Sequence, residues 1–584
     1  MTARTWTLRR PDRAQVDRLV STLQVPPLVA TLLVNRGHQG GDATARHLSP
    51  DLHHLHDPGL LPGMAAATAR LGQAIEAGEP ILIHGDYDVD GITGTTLLVR
   101  LLRHLGADVH WHVPDRFTDG YSFGEHSLVK AREVGAKVVV SVDNGTSAVE
   151  TITQLLEAGV ETIVTDHHEP PRGPLPPATA IVNPKLADST YPFRELCGGA
   201  VAFKLAWGLA QERSGAGAGG RVSNDLRDLL VDLMGLVALA TVCDVVPLID
   251  ENRVLGRFGL KALSGTTSPG LRALLEVAGL DGRQLVAEDV GFQLGPRLNA
   301  AGRMVNAGRA IEVLLADDRP TARKRARALD ELNLERKRVE RELLETVLIE
   351  ARRFEDPERY PVLVVAGQGW HQGVIGIIAA RLAERMNRPA LVIGLDGEVG
   401  RASARSVEGV SILELMHAGA AHMLQYGGHA QAAGCEVRAD QVDDLREAIC
   451  ASARASGTTT RPEPTLELDA ELPLGEVTPA LMRQIDRLEP FGERNEKPVL
   501  YSPDVRLAEP PRVIGADGSH LLLRLRRGEH VLKALAFGMA HRQDELALGA
   551  PIHAVYTPRW NTFRGETNLE LLLADFRVGP RPSL

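Results

Sequence analysis

Three short apolar runs in the first third of the chain each end abruptly in acids and histidines. ILIHGDYDVDG opens as a strand at residues 81–83, breaks into a polar loop, and is followed by TGTTLLVRLLRHLG, which has helical periodicity. KVVVSVDNG leads in the same way into SAVETITQLLEAG, and ETIVTDHHEP leads into the Pro-rich loop PPRGPLPPATA. Uniformly apolar strands alternating with amphipathic helices predict an α/β fold built on a parallel sheet with right-handed crossovers.

Elsewhere the pattern changes by segment. Residues 1–75 read as short helical pieces broken by Pro and Gly, and residues 76–310 as the α/β unit. Within it, residues 201–213 and 224–243 are expected helices separated by the loop SGAGAGG. A charged helix is expected over residues 322–354, inside a connecting segment 311–355. Its Leu329, Leu332, Arg336, Val339, Leu343 and Val347 recur at three- and four-residue steps. A second α/β unit occupies residues 356–455, starting at PVLVVAGQGWHQGVIGIIAARLAE. ASARASGTTTRPEP is a linker by composition. Over residues 461–584, the runs LLLRLRR, VLKALAF, PIHAVYTPRW and LELLLADF alternate as in a small all-β unit.

At 584 residues the chain is too long for one core, and 44% hydrophobic with 24% charged residues is ordinary for a globular protein. No run reaches membrane-spanning length, and MTARTWTLRRPDR lacks the apolar stretch expected of a signal peptide. Cys197, Cys243, Cys435 and Cys450 show no CxxC spacing, so reduced thiols, a cytoplasmic location and no membrane partner are expected. The net charge of −10 argues mildly against nucleic acid, but binding depends on local patches and a carboxylate cluster loses its negative charge when it holds cations.

The chemistry lies at the strand ends, because loops leaving the carboxyl ends of an open α/β sheet converge on one crevice. The first loop offers His84, Asp86, Asp88 and Asp90, the second Asp143, and the third Asp166, His167 and His168; Asp244 ends the apolar helix LVALATVC. Any one Asp after a strand is more often a helix cap or a turn residue. Caps account for neither His84 nor the His167–His168 pair, however, and so many converging acids repel one another unless cations lie among them. Imidazole and carboxylate ligands without thiolate suit Mn²⁺ well and Mg²⁺ less well, with zinc also compatible.

DYDVDG, VDNG, DHH (residues 166–168) and the later Asp244 resemble the four motifs of the DHH phosphoesterase superfamily. The order of elements, including GPRLNAAGR and GGHAQAAG, is similar to its single-strand-specific 5′→3′ DNA exonucleases over nearly the whole chain. The resemblance implies two divalent ions, one on His84, Asp88 and Asp143 and the other on Asp90, Asp143, His167 and Asp244. It also implies that His168 faces the scissile phosphate and that Asp166 orients a ligating imidazole. Asp86 matches no ligand position, and a cap or supporting role is expected. Two such ions would supply a hydroxide near neutral pH and neutralise phosphate oxygens during in-line displacement.

The same resemblance makes residues 356–455 a DHHA1-like nucleic-acid-binding domain and residues 461–584 an OB-like domain for single strands. Candidate substrate contacts are Arg297, Asn299 and Arg303 on a Gly-punctuated loop, His371 in WHQGVIG, Arg405 in RASARS and His429 in GGHAQAAG. In the β unit, Arg524, Arg526, Arg527 and Lys533 with Tyr556, Trp560 and Phe563 are weaker candidates, since alternating Arg on a strand is by default a solvated face. The partners implied are single-stranded DNA and, from the resemblance alone, a single-strand-binding protein and a helicase. Two other readings compete: a small-substrate phosphodiesterase acting on cyclic dinucleotides, short oligonucleotides or pyrophosphate, and a non-catalytic scaffold. The extra β unit disfavours the first, and the intact acids and histidines disfavour the second.

Overall fold

The computed structural model describes residues 4–120, 123–215, 220–457, 465–563 and 566–584. Most of the SGAGAGG loop and the second half of the ASARASGTTTRPEP linker lie outside the described residues, as does the side chain of Phe563.

Five parallel strands form the first sheet, in the spatial order Val109–His112, Ile81–His84, Val138–Val142, Glu161–Thr165, Ala180–Val182. Two of these, Val109–His112 and Ala180–Val182, are edge strands that the hydrophobic pattern did not single out. Numbered along the sheet in chain order, the arrangement is 2-1-3-4-5, so the topology reverses between Ile81–His84 and Val138–Val142. A crevice opens at such a switch point, outside the carboxyl ends of the strands. The period of two along a strand divides the core. Ile81 and Ile83 join the large cluster under helices Val89–His104, Gly198–Arg213 and Asn224–Cys243. Leu82 points the other way, to Leu128, Val139 and Leu155 beneath helices Glu125–Glu133 and Val149–Glu157.

The connecting helix runs over Arg319–Ala351, capped by Asp318, whose carboxylate accepts from the Thr321 amide at 2.9 Å. Leu329, Leu343 and Val347 are buried as its periodicity predicts, but so are Asn333, Arg336 and Glu340. Arg336 donates to Asn333 Oδ1 at 3.0 Å and to Glu340 Oε2 at 2.9 Å, and Arg381 pairs with Glu340 Oε1. The second sheet begins with parallel strands Leu363–Gln368 and Ala390–Asp396, then turns antiparallel through Val399–Arg405, Ala432–Arg438 and Gln425–Gly428.

The C-terminal unit is a barrel. Its strands run Leu500–Leu507, Ile552–Phe563, Glu566–Val578, His530–Ala536 and His520–Arg527, and a pairing of the last with the first closes the sheet. The expected N-terminal helical segment, residues 1–75, does not pack as a unit of its own. Thr5–Leu8 pairs in parallel with Thr465–Leu468, and Leu19, Val29, Leu32 and Leu33 share the barrel's core. Met64, Ala67 and Leu71, further on, belong to the first α/β core. No helix among the described residues is long and apolar enough to cross a membrane.

Candidate metal centre and phosphate cleft

The acids converge at the switch point. Asp88 caps helix Val89–His104 by accepting from the Asp90 and Gly91 amides at 3.0 and 3.2 Å, so its role as a cap and its place in the cluster coexist. Asp90, in the first turn, is buried and accepts from the Gly198 and Gly199 amides, each at 2.7 Å. Those amides open helix Gly198–Arg213, whose N-terminus stabilises negative charge. Asp143 is held at φ 65°, a left-handed conformation costly for a side chain other than Gly. A Cβ on Gly198 would lie 2.5 Å from that of Asp143, so only glycine fits there.

Ligand atoms of Asp90, His167 and Asp244 lie within 4.8 Å of one another, as do those of Asp143, His167 and His168. His167 Nε2 is 3.2 Å from Asp143 Oδ1, 3.7 Å from Asp244 Oδ2 and 3.9 Å from Asp90 Oδ2. A further group within 4.8 Å comprises Asp86, Asp88 and Asp143. Here the structure departs from the expectation: Asp86, read as a cap or supporting residue, joins Asp88 and Asp143, whereas His84 lies instead with His112 and His126. His84 ends its strand fully buried, with its Nε2 2.9 Å from Ser127 Oγ and its Nδ1 without a hydrogen bond.

Buried polar atoms without a partner test whether cations belong here. Asp86 Oδ1, Asp143 Oδ1, His167 Nε2 and Asp244 Oδ2 are buried and make no hydrogen bond. Such atoms cost free energy unless something absent from the polypeptide satisfies them. Burial followed by repulsion from Asp88 pushes the Asp86 carboxyl well up, and burial with the neighbouring carboxylates does the same to Asp143. Burial raises Asp90 and pushes Asp244 up to about 9. These groups cannot all be ionised near neutral pH without cations among them. The donor set, carboxylates with one imidazole, fits two hard divalent ions sharing Asp143.

Asp166 acts differently from the expectation that it orients a ligating ring. Its Oδ1 accepts from His168 Nδ1 at 2.8 Å and from the His167 and His168 amides, and Oδ2 accepts from the Thr146 amide at 2.9 Å. It is therefore His168, not His167, whose ring it fixes. These hydrogen bonds outweigh burial and hold the Asp166 carboxyl below the usual range. For His168, burial opposes protonation but the Asp166 hydrogen bond wins and the imidazole is raised. The His168 side chain is 40% exposed against 11% for His167, so of the two rings His168 is the one in reach of a substrate.

Arginines face the acids across the cleft. GPRLNAAGR is helical, Gly295–Met304, entered through a widened π-turn at Val290–Leu294, and not a loop. Arg297 donates to Asp330 Oδ1 at 2.9 Å and to the Gln293 carbonyl, so it braces the connecting helix. Asn299 and Arg303 line a cavity of ≈ 600 Å³ bounded by Arg336, Ile377, Phe491 and the 79% exposed Phe292. Arg303 donates to the Gly373 carbonyl at 3.2 Å, and a Cβ on Gly373 would lie 1.9 Å from the Arg303 carbonyl oxygen, so the second α/β unit approaches the first through a bare backbone. Burial, with Arg116, Arg336 and Arg405 nearby, lowers Arg303 to about 10, and Arg405 is lowered by burial and Arg116. Among the described residues none of Arg116, Arg303 and Arg405 has a carboxylate ion pair. His371 meets Phe117 edge-on with ring centroids 6.0 Å apart, and its Nδ1 accepts from the Gly373 amide. His429 is exposed at the turn between Gln425–Gly428 and Ala432–Arg438.

Two contributors escaped the sequence reading, and a third, Asp86, was named there only as a cap or supporting residue. Asp86 was one of several acids in a loop. Gly198–Gly199 could have been found as a glycine pair opening a helix. Arg116, in VPDRF, stacks 4.1 Å over the Tyr87 ring and accepts from Arg401 through its carbonyl, which ties the loop across both α/β units.

A buried carboxylate cluster at the switch point of one α/β unit, roofed by a second, defines a DHH-type phosphoesterase. Accordingly, the DHH family N-terminal domain model matches residues 80–241, the DHHA1 domain model residues 359–455, and the RecJ OB domain model residues 468–575. The chain belongs to the RecJ family. It is 35% identical over 580 residues to the single-stranded-DNA-specific exonuclease RecJ of Bacillus subtilis, covering 98% of this chain and 71% of that protein. With the enzyme of the same description from Dickeya dadantii the identity is 34%, covering 95% and 97%. The crystal structure of Thermus thermophilus RecJ in complex with Mn²⁺ superposes with a TM-score of 0.82 at 31% identity, covering 100% of this chain and 81% of that one. A Mg²⁺ complex of the same protein gives 0.76 at 30% identity, covering 99% and 79%.

Proposed function

We propose that this protein is a single-strand-specific DNA exonuclease that hydrolyses phosphodiesters to mononucleotides with two divalent cations, acting in DNA repair and recombination. The observation that carries the reading is the juxtaposition of unpartnered carboxylates and unpaired guanidinium groups in one cleft. One set calls for cations and the other for phosphate. Asp86, Asp88 and Asp143 would hold one ion, and Asp90, Asp143, His167 and Asp244 the other. When bound, such a pair lowers the pKa of water and offsets charge on the phosphate and leaving oxygens. The relatives' Mn²⁺ and Mg²⁺ complexes favour those two ions.

The side chains do the rest. Asp166 fixes His168 by its Nδ1, so the proton or hydrogen bond that His168 supplies to a phosphate oxygen comes from Nε2. Arg116, Arg303 and Arg405 bind non-bridging phosphate oxygens, with Ser403, which accepts from Arg405 at 3.1 Å, holding one fork in place. Asn299, Arg303 and Phe292 line the strand's approach through the ≈ 600 Å³ cavity between the catalytic unit and the segment leading into the barrel. In this reading residues 76–310 are catalytic, residues 356–455 close the cleft, and the barrel with the N-terminal helices holds the strand. A 5′→3′ direction, and cooperation with a single-strand-binding protein and a helicase, are further parts of the proposal.

Digestion of single strands labelled at either end, with Mn²⁺ supplied, tests it. Release of labelled mononucleotide from 5′-labelled strands, and progressive shortening of 3′-labelled ones, is expected. Internal cuts, or equal attack on duplex, would refute the reading.

A further inference from the structure

Beside the carboxylate cleft stands a second cluster made only of imidazoles. His84 ends the strand Ile81–His84, and His112 ends the neighbouring strand at the register-paired position. His126 lies in the first turn of helix Glu125–Glu133. The three ring centroids form a near-equilateral triangle, with sides of 5.3 Å for His84–His112, 5.5 Å for His84–His126 and 5.2 Å for His112–His126. One nitrogen of each lies within 4.8 Å of those of the other two.

We propose that His84, His112 and His126 form a third cation site, selective for zinc or a similarly imidazole-seeking ion and separate from the carboxylate centre. Three rings bound to one tetrahedral ion through nitrogens about 2.0–2.1 Å from it have centroids about 5 Å apart, which the triangle matches. Burial with His126 lowers His112 to about 4, which keeps that ring in the neutral form a metal takes. Phe123 stacks on His84 at 4.3 Å and 11° between planes, which fixes the ring's plane. His112 Nε2 and His126 Nδ1 are 2.9 Å apart, sharing a hydrogen that an ion would replace. Ser127 Oγ, 2.9 Å from His84 Nε2, holds that ring by a hydrogen bond. Access is through a cavity of ≈ 420 Å³ lined by His112, His110, Lys130 and Asp119.

The donor chemistry separates this site from its neighbour. Carboxylate-rich sites take Mn²⁺ and Mg²⁺, whereas an all-imidazole site prefers zinc. An ion here would join the ends of two adjacent strands to helix Glu125–Glu133. It would thereby tie down the segment following Val109–His112 that carries Arg116 to the cleft.

The test measures zinc bound by the full-length protein in saturating Mn²⁺, by elemental analysis after gel filtration, for wild type, His112→Ala and His126→Gln. Neither substituted residue belongs to the carboxylate or arginine machinery. One equivalent of zinc on wild type, with a zinc-dependent rise in Tm, and the loss of both in each variant with manganese content unchanged, is expected. In zinc's place, Co²⁺ should give the visible absorption of a tetrahedral nitrogen-rich site in wild type alone. Wild type that takes up no zinc, or variants that keep the same zinc and the same spectrum, would overturn the proposal. Because no readout uses nuclease activity, failure here is distinct from failure of the exonuclease reading.

Discussion

The cleft and the barrel are both rich in charge, and they treat it in opposite ways. In the cleft, Asp86, Asp143, His167 and Asp244 present buried atoms with no partner, and Arg116, Arg303 and Arg405 stand together without a carboxylate ion pair among the described residues. In the barrel many charges are matched, although Arg526 and Arg527 are exposed with no ion pair among the described residues. Glu570, 1% exposed, receives Lys533 at 3.0 Å and Arg559 at 2.7 Å, while Arg542 meets Asp575 at 2.6 Å and Arg524 meets Glu509 at 3.2 Å. The aromatics follow suit: Tyr556 is fully buried and bonded to Ser502, and Trp560 donates to Asp486 at 2.9 Å. Composition alone made both regions candidate contact surfaces, but the cleft gathers buried groups without internal partners, whereas Lys533, Arg559, Arg542 and Arg524 of the barrel are spent on carboxylates. Unsatisfied charge marks a site for ligand, and satisfied charge marks scaffold.

The comparison is broken most severely at Asp143. Asp143→Ala should lower turnover by roughly three orders of magnitude or more, since one carboxylate serves both ion sites. The apo protein should be no less stable, because a buried, mutually repelling carboxyl has been removed. Single-turnover cleavage with Mn²⁺ and urea unfolding of metal-free protein measure the two effects, and near-normal cleavage would refute the shared ligand. His168→Ala should follow, with a loss of about two to four orders of magnitude at unchanged metal content. His167→Ala should lose one ion. Bound Mn²⁺ on the two variants decides between these roles.

Next come the cations. Arg303→Met or Arg405→Met should weaken single-strand binding by about ten- to a hundredfold, the worth of one charge-assisted contact, and reduce the salt dependence of binding. Binding isotherms at two or more salt concentrations, taken with Ca²⁺ to prevent cleavage, measure both. Unchanged affinity would move the phosphate elsewhere.

The switch-point crevice was legible in the sequence because strand ends in a parallel sheet share one edge, so spacing along the chain translates into position in space. What spacing does not show is which way each side chain leaves the loop, and so Asp86 and His84 exchanged places. Gly and Pro in GPRLNAAGR argued for a loop, yet Pro296 sits in the first turn, where a missing amide donor costs nothing, and packing carries the rest into a helix. The barrel's aromatics looked available because a period of two does not reveal which face is interior. Least visible was the pairing of Thr5–Leu8 with Thr465–Leu468, because local patterns carry no information on contacts between distant segments. It changes how the barrel is removed: deleting residues 460–584 alone would bare Leu19, Val29 and Leu33, so residues 1–48 must go with them.

A smaller effect is expected where the barrel's lead-in meets the catalytic unit. Burial, with Asp486 close by, pushes Glu489 up to about 7 from 4.5. A carboxyl raised on folding contributes stability that is fully present below its unfolded pKa and is lost as pH rises through the folded one. Glu489→Gln should therefore be neutral near pH 4.5 and stabilising above pH 7, by at most roughly 3 kcal/mol. Urea midpoints across that range measure it, and a constant difference would show that the group does not titrate on folding.

The smallest expected effect bears most directly on the comparison. Lys533 is one of the strand cations that, by composition, could track a nucleic-acid backbone, yet its ammonium lies 3.0 Å from the buried Glu570, which Arg559 also neutralises. Lys533→Met removes one of two positive partners while leaving the carboxylate paired. The side chain is 40% exposed, so the loss of stability should be no more than about 1 kcal/mol, as for other solvent-screened pairs. Single-strand affinity and its salt slope should not change, because a cation already spent on an internal carboxylate releases few counterions from DNA. Glu570→Gln provides the opposite arm: it frees Lys533 and Arg559 and should strengthen binding if the barrel face is within reach of the strand. If Lys533→Met instead reduces the salt slope by about one, the barrel's paired cations do exchange partners for phosphate, and internal pairing would no longer distinguish scaffold from contact surface in this protein.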